Sequence, residues 1–200
     1  MITLETLEKF RRYLELVESK LLNKYFEAQK EYICCKEGCA NCCKTGEFPT
    51  SDLELMYLMA GFQELNENLQ KEIANNADNI KAKRDANGNR LYQCPFLIDN
   101  RCAVYKNRML ICRTHGLMYY VQMKNGEKRN KIPACSGEGL NYSQVYDVET
   151  KTITEEAWKN SGINAEPVAY NISREALMDE NITKDFGLEF GESKALIDWF

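Results

Sequence analysis

Five cysteines fall within ten residues of this chain: Cys34, Cys35, Cys39, Cys42 and Cys43, in the run C-C-K-E-G-C-A-N-C-C. Four more follow at Cys94, Cys102, Cys112 and Cys135. Such density restricts the chain to a disulfide scaffold, a metal site or a redox centre. The first residues argue against disulfides. They are charged and helical in period, without the basic start, apolar core and small-residue cleavage site of a secretory signal. No apolar run approaches the roughly 20 residues of a membrane span. The expectation is a cytoplasmic protein whose thiols stay reduced. An odd cysteine count agrees, and in that compartment the sequons at Asn141, Asn171 and Asn181 carry no meaning.

At 200 residues the chain is long enough for a core of its own, and 44% hydrophobic with 28% charged residues describes an ordinary soluble globule. A net charge of −4 argues against nucleic acid or an anionic membrane as partner. Thiolates would deepen that negative charge. Lys36, Lys44, Arg101, Lys106, Arg108 and Arg113 are therefore expected, as a set, to offset it.

Periodicity predicts one helix from residue 3 to about 32, capped by Thr3, with Leu7, Phe10, Leu14, Val17, Leu21 and Ala28 on its apolar face. Pro49-Thr50-Ser51-Asp52 opens a second helix, with Gly61 as a candidate break, and Asn68 to Arg84 reads as a third, polar one. A turn follows at residues 85–89. Short strands are expected at Leu91–Phe96 and Cys102–Tyr105 around Asp99-Asn100, at Leu117–Met123 ahead of the hairpin turn Asn125-Gly126, and at Gln144–Val148. Helical pieces are expected near Glu155–Lys159, Ser173–Met178 and Ser193–Phe200. The class is α+β. Residues 1–33 form an N-terminal helix packing on the domain, 34–140 a cysteine-cluster domain, and 141–200 an extension of short strands and helices.

Soft sulfur selects zinc, copper(I) or iron–sulfur clusters. Cys35, Cys39 and Cys42 follow C-x-x-x-C-x-x-C. Offsets of four and three put them on one helical face, and Gly38 permits a tight bend if the segment is a loop. Cys43 points elsewhere, toward a second ion or a bridging role. Cys94, Cys102, Cys112 and Cys135 are dispersed, as in ligands drawn from a hairpin and its flanking loops. The eight complete two four-ligand sites, and the two groups are expected to face each other. Cys34 is expected as a small buried hydrophobe. C-x-x-x-C-x-x-C also holds the cluster of radical S-adenosylmethionine enzymes, but here it follows a long helix and no glycine-rich cofactor loop appears. His115, the one histidine, is three residues past Cys112 and could share a metal. With eight thiols sufficient, it is expected as a solvated or hydrogen-bonded imidazole. Tyr92, Tyr105, Tyr119 and Tyr120 are expected to shield the site or fill the core.

Residues 94 to 113 read C-P-F-L-I-D-N-R-C-A-V-Y-K-N-R-M-L-I-C-R. With Cys35-x-x-x-Cys39-x-x-Cys42-Cys43, this resembles the YkgJ-type cysteine-cluster family of zinc- or iron-chelating domains. The resemblance covers residues 35 to 135. It matches Cys35, Cys39, Cys42, Cys43, Cys94, Cys102, Cys112 and Cys135 to that family's positions. Met109 departs from it, since proline usually follows the arginine that Arg108 matches. The resemblance implies metal ions as partners: zinc or iron, the iron as a four-iron four-sulfur cluster among the options.

Three functions stay open. The first is a metal-binding module. The second is an iron–sulfur enzyme with a methyl-transfer or redox role, since the signature is similar to part of the flagellin lysine methylase. The third is a metal-stabilised interaction domain. No nucleophile–base pair or phosphate-binding glycine loop points to other catalysis.

Overall fold

The computed structural model describes residues 2–36, 38–84, 88 and 90–200. The chain is α+β, as expected. Its helices are α1 (Leu4–Val17), α2 (Asn23–Ala28), α3 (Asn41–Lys44), α4 (Asp52–Gln63), α5 (Glu67–Asp78), α6 (Leu110–Thr114), α7 (Glu155–Ser161), α8 (Arg174–Leu177) and α9 (Glu180–Thr183). Its strands are β1 (Pro49–Ser51), β2 (Lys83–Arg84), β3 (Arg90–Leu91), β4 (Leu97–Ile98), β5 (Arg101–Cys102), β6 (Tyr119–Gln122), β7 (Lys128–Lys131), β8 (Tyr146–Asp147), β9 (Thr152–Ile153) and β10 (Ser193–Ala195). They pair antiparallel as β1–β10, β2–β3, β4–β5, β6–β7 and β8–β9. Two compact units result. Unit 1 is Met1–Arg12, Glu37–Cys112 and Lys184–Phe200; unit 2 is Tyr13–Lys36 and Arg113–Thr183.

The N-terminal helix begins as expected, the Thr3 hydroxyl accepting from the Thr6 amide at 3.2 Å. It does not run unbroken to 32. Glu18–Leu22 is a π-helical turn, which adds one residue to the helical repeat. The buried register therefore slips by one. Tyr13, Leu14 and Val17 are buried, but Leu22 and Gln29 take the places expected of Leu21 and Ala28. The Gln29 amide is satisfied within unit 2, donating to the Glu166 carbonyl at 2.9 Å and accepting from the Val168 amide at 3.0 Å. Glu18, at the head of the π turn, meets Arg113 at 2.7 Å.

In unit 1, the α4 N-terminus is built as the sequence reads. The Ser51 hydroxyl accepts from the Glu54 amide, and the Glu54 carboxylate accepts from the Ser51 amide at 3.0 Å. Gly61 does not break α4. The Asn107 side chain packs where a Cβ would stand, 2.6 Å away, and donates to the Tyr57 carbonyl at 3.0 Å. Glycine is thus set by a close approach rather than by a helix end. α5 stops at Asp78, short of the expected Arg84, and residues 83–84 form a strand. Of the turn expected at residues 85–89, only Gly88 lies within the described residues.

In place of the strands expected at Leu91–Phe96 and Cys102–Tyr105 the hairpin is β4 and β5, shifted inward to residues 97–98 and 101–102, with both turn residues Asp99 and Asn100 at positive φ (47° and 58°), as a tight hairpin demands. Residues 193–200, expected as a helix, give β10 and a 3-10 turn at Leu196–Trp199. The unit's core is Phe48, Leu58, Ile73, Tyr92, Phe96, Leu97, Val104, Met109 and Leu196.

Unit 2 is built on Tyr32, Met118, Tyr142 and Val145, with the Tyr32 and Tyr142 rings stacked at 5.1 Å. The hairpin β6–β7 turns at Asn125-Gly126, Gly126 at φ +86°. α7 and α8 are capped by the hydroxyls of Thr154 and Ser173.

Glu54 is completely buried and ties two elements of unit 1 together. One carboxylate oxygen serves the Ser51 cap and the other accepts from the Leu110 amide at 3.0 Å, the first residue of α6. Glu54→Ala strands two buried amide donors, a cost of about 1–3 kcal/mol. Urea unfolding of the full chain is expected to show a lowered midpoint, and an unchanged one would refute the role.

Candidate metal centre

Six cysteines belong to unit 1: Cys39, Cys42, Cys43, Cys94, Cys102 and Cys112. Backbone pairing brings two of their segments side by side. The Cys94 amide donates to the Cys43 carbonyl at 2.8 Å, and Gly46 and Tyr92 exchange both hydrogen bonds at 3.1 Å. The β4–β5 hairpin adds Cys102, and α6, pinned at its start by Glu54, adds Cys112. Cys43, Cys94, Cys102 and Cys112 all pack on the apolar core of the unit, and Cys42 Sγ is 3.9 Å from Cys43 Sγ. Cys39 is exposed.

These thiols feel one another. Burial pushes Cys94 up to about 12, and Cys102 and Cys42 add to the rise. Burial also raises Cys112 and Cys102, with Cys42 contributing to both. Cys43 is raised by its hydrogen bond to Cys42, then by burial. Cys42 alone is lowered, to about 7, because the Cys43 thiol hydrogen-bonds to it. Against burial, the Phe96 amide lies against Cys94 and the Val104 amide against Cys102, each two residues beyond its cysteine, and both favour thiolate. Arg108 does the same for Cys102.

Of the six cations expected near the sulfurs, Arg108 thus acts there. Arg113 is committed to Glu18 in unit 2. Met109, where a proline is usual, is buried and takes a hydrogen bond from Thr50 to its sulfur at 2.8 Å. Arg108 keeps φ −63° and ψ 151°, the extended backbone that precedes a proline, so the turn survives the departure.

The donor set suits a soft cation. Sulfurs this close cannot all ionise without a positive charge among them, and the amide N–H groups against Cys42, Cys94 and Cys102 would steady such thiolates around a cation. Among the described residues, no three His, Cys, Asp or Glu side chains already stand around one point at ligand distance. Binding therefore requires a local gathering of sulfurs.

Unit 2 holds Cys34, Cys35 and Cys135. Cys34, expected as a buried hydrophobe, is exposed. Its amide donates to Asn141 Oδ1 at 2.7 Å, and Asn141 Nδ2 donates to Cys35 Sγ at 3.2 Å. His115 is neither solvated nor hydrogen-bonded at Nε2, which is buried and, among the described residues, the one such side-chain atom without a partner. Burial lowers its imidazole to about 4. Of the tyrosines, Tyr92 is in the core and its hydroxyl accepts from the Ile197 amide at 3.0 Å. Tyr105 is exposed beneath Arg108.

Glu54 and Asn141 went unread in the sequence as site residues. The capping box signalled Glu54 for α4 alone, with no hint of α6. Asn141 showed only a sequon.

The raised thiols give a sign to the pH dependence of the metal-free protein. Unfolded cysteines titrate near about 8.5. Groups raised above that value stabilise the fold fully below it and lose that contribution as pH rises toward their folded pKa. Cys94, Cys102, Cys112 and Cys43 act in that sense. Cys42 acts in the opposite one, its contribution present above about 8.5 and lost as pH falls through about 7. The urea midpoint of the metal-free chain should fall as pH rises from about 8.5 toward 12, and Cys94→Ala should flatten that fall. An equal slope in the variant contradicts the assignment.

A family described as CxxCxxCC, a putative zinc- or iron-chelating domain, matches residues 34–136, which takes in all nine cysteines. No curated protein and no solved structure matches the chain. With just over half of its length covered, the chain belongs to the CxxCxxCC family of zinc- or iron-chelating domains.

Proposed function

We propose that this protein binds zinc or iron through thiolates, in the cytoplasm, with Cys42, Cys43, Cys94, Cys102 and Cys112 as the central donors. Cys39 completes the set in unit 1, and Cys35 and Cys135 are thiolate donors within unit 2. The observation that carries this reading is the crowding in unit 1. Four sulfurs from four separate segments, Cys43, Cys94, Cys102 and Cys112, pack on one apolar core with Cys42 beside Cys43, and there burial of the four opposes ionisation and each deprotonation opposes the next. A fold gains nothing from that crowding until a cation enters. A bound zinc or iron supplies the positive charge that lets these thiols remain deprotonated inside the fold.

The chain's own residues prepare the place. Glu54 holds the start of α6 and thereby Cys112, the Cys43–Cys94 backbone bond sets two sulfur-bearing segments in register, and Arg108 favours the thiolate of Cys102. Only one C-x-x-C knuckle exists, Cys39 to Cys42, whereas zinc ribbons use two. That spacing favours the iron form of the reading, a cluster held by thiolates.

Anaerobic purification followed by elemental analysis and an absorbance spectrum tests the proposal. Zinc or iron at a fixed ratio is expected. Absorbance near about 400 nm marks iron–sulfur ligation and a colourless protein marks zinc. Because metal-binding energy appears as folding energy, chelation should lower the melting temperature. Cys94→Ser and Cys112→Ser should each lower the metal content. A chelated protein that melts unchanged, or serine variants with a full metal load, would sink the proposal.

A further inference from the structure

Unit 2 contains a second group of soft donors that the thiol crowding of unit 1 does not explain. Asn141 is its hub. Its Nδ2 donates to Cys35 Sγ at 3.2 Å and to the Gly116 carbonyl at 3.0 Å, while its Oδ1 accepts from the Cys34 amide at 2.7 Å. One side chain thus clips the Cys34-Cys35 segment to the His115-Gly116 turn. The approach is close: a Cβ at Gly116 would stand 3.4 Å from Cys35 Sγ and 2.8 Å from Asn141 Nδ2, and Gly116 sits at φ +100°. The same asparagine closes a loop that begins at Cys135. The Leu140 amide donates to the Cys135 carbonyl at 3.1 Å, and the Ser136 hydroxyl donates to the Asn141 carbonyl at 2.6 Å. Cys35, His115 and Cys135 therefore lie on three chain segments held by one residue.

The independent sign of a ligand is His115. Its Nε2 is buried without a partner, an arrangement that costs about 1–3 kcal/mol if nothing ever fills it. Neutral imidazole with thiolates is a zinc donor set, and two cysteines with one histidine leave a fourth position open.

We infer that unit 2 binds a zinc-like ion of its own, with His115 Nε2 and the thiols of Cys35 and Cys135 as ligands and Asn141 as the residue that positions Cys35. The inference rests on the metal-binding reading of the family and adds a nitrogen ligand and a separate place to it. The exposed Cys35 gives the ion its entry from solvent. The three donors close around it on binding, since they do not surround one point beforehand.

The chain has one histidine, so its ring nitrogens report without ambiguity. The full chain, labelled with nitrogen-15 in histidine, is titrated anaerobically with zinc alone, or is purified with zinc and then chelated. Zinc should move the Nε2 resonance and chelation should return it. His115→Gln should lower the zinc content by one equivalent, while cobalt(II) still gives thiolate charge-transfer absorption from unit 1. Asn141→Ala should weaken the unit 2 site about 10–100-fold without that loss in unit 1. Zinc bound with the Nε2 resonance unmoved overturns this inference alone. A chain that takes up no zinc or iron in either unit overturns both this inference and the proposed function. If a variant fails to fold, the resonance of the unaltered chain still decides.

Discussion

Like charges brought into an apolar core repel with little solvent to screen them, and unit 1 is arranged around that constraint. Cys43, Cys94, Cys102 and Cys112 pack against Phe96, Val104 and Met109. There burial holds the thiols protonated, and any thiolate that forms opposes the next. The backbone makes small concessions to negative sulfur at the amides of Cys42, Phe96 and Val104. The remaining imbalance is what an ion would remove. The elements that carry these sulfurs are short: two-residue strands and a five-residue helix, held by a capping carboxylate shared between α4 and α6.

Much of this was legible in the sequence where one local rule acts alone. Thr3, Ser51 and Asn125-Gly126 do what cap and turn chemistry requires of them. The cysteine spacing, with its resemblance, led to the family that the chain belongs to. Reading failed where a distant partner overrode the local rule. The stripe through Leu21 and Ala28 is regular on paper, yet a π turn moves the buried face to Leu22 and Gln29, whose amide has partners near residue 167. Gly61 reads as a stop and is a seat for Asn107. Residues 193–195 read as helical and form a strand because β1 offers them an edge.

The candidate site divided along the same line. Which residues are cysteines is local information. Which of them share a neighbourhood is decided by pairings of high sequence separation, such as Cys43 with Cys94 or Cys35 with Asn141. His115 illustrates the limit best, because a lone histidine has no periodicity to read. Its significance comes entirely from the missing partner at Nε2.

The pairing of β1 with β10 joins residues 49–51 to 193–195, and Leu196 bonds back to Phe48 at 2.8 Å. Closing so long a loop is slow relative to local contacts, and a chain is synthesised at about 5–20 residues per second. The thiols of unit 1 are therefore made many seconds before the strand that completes their unit can dock. Throughout that interval they are open to oxidants and to competing metals. The order of events during biosynthesis, and not the finished geometry alone, therefore bears on the state in which those thiols reach the closed fold.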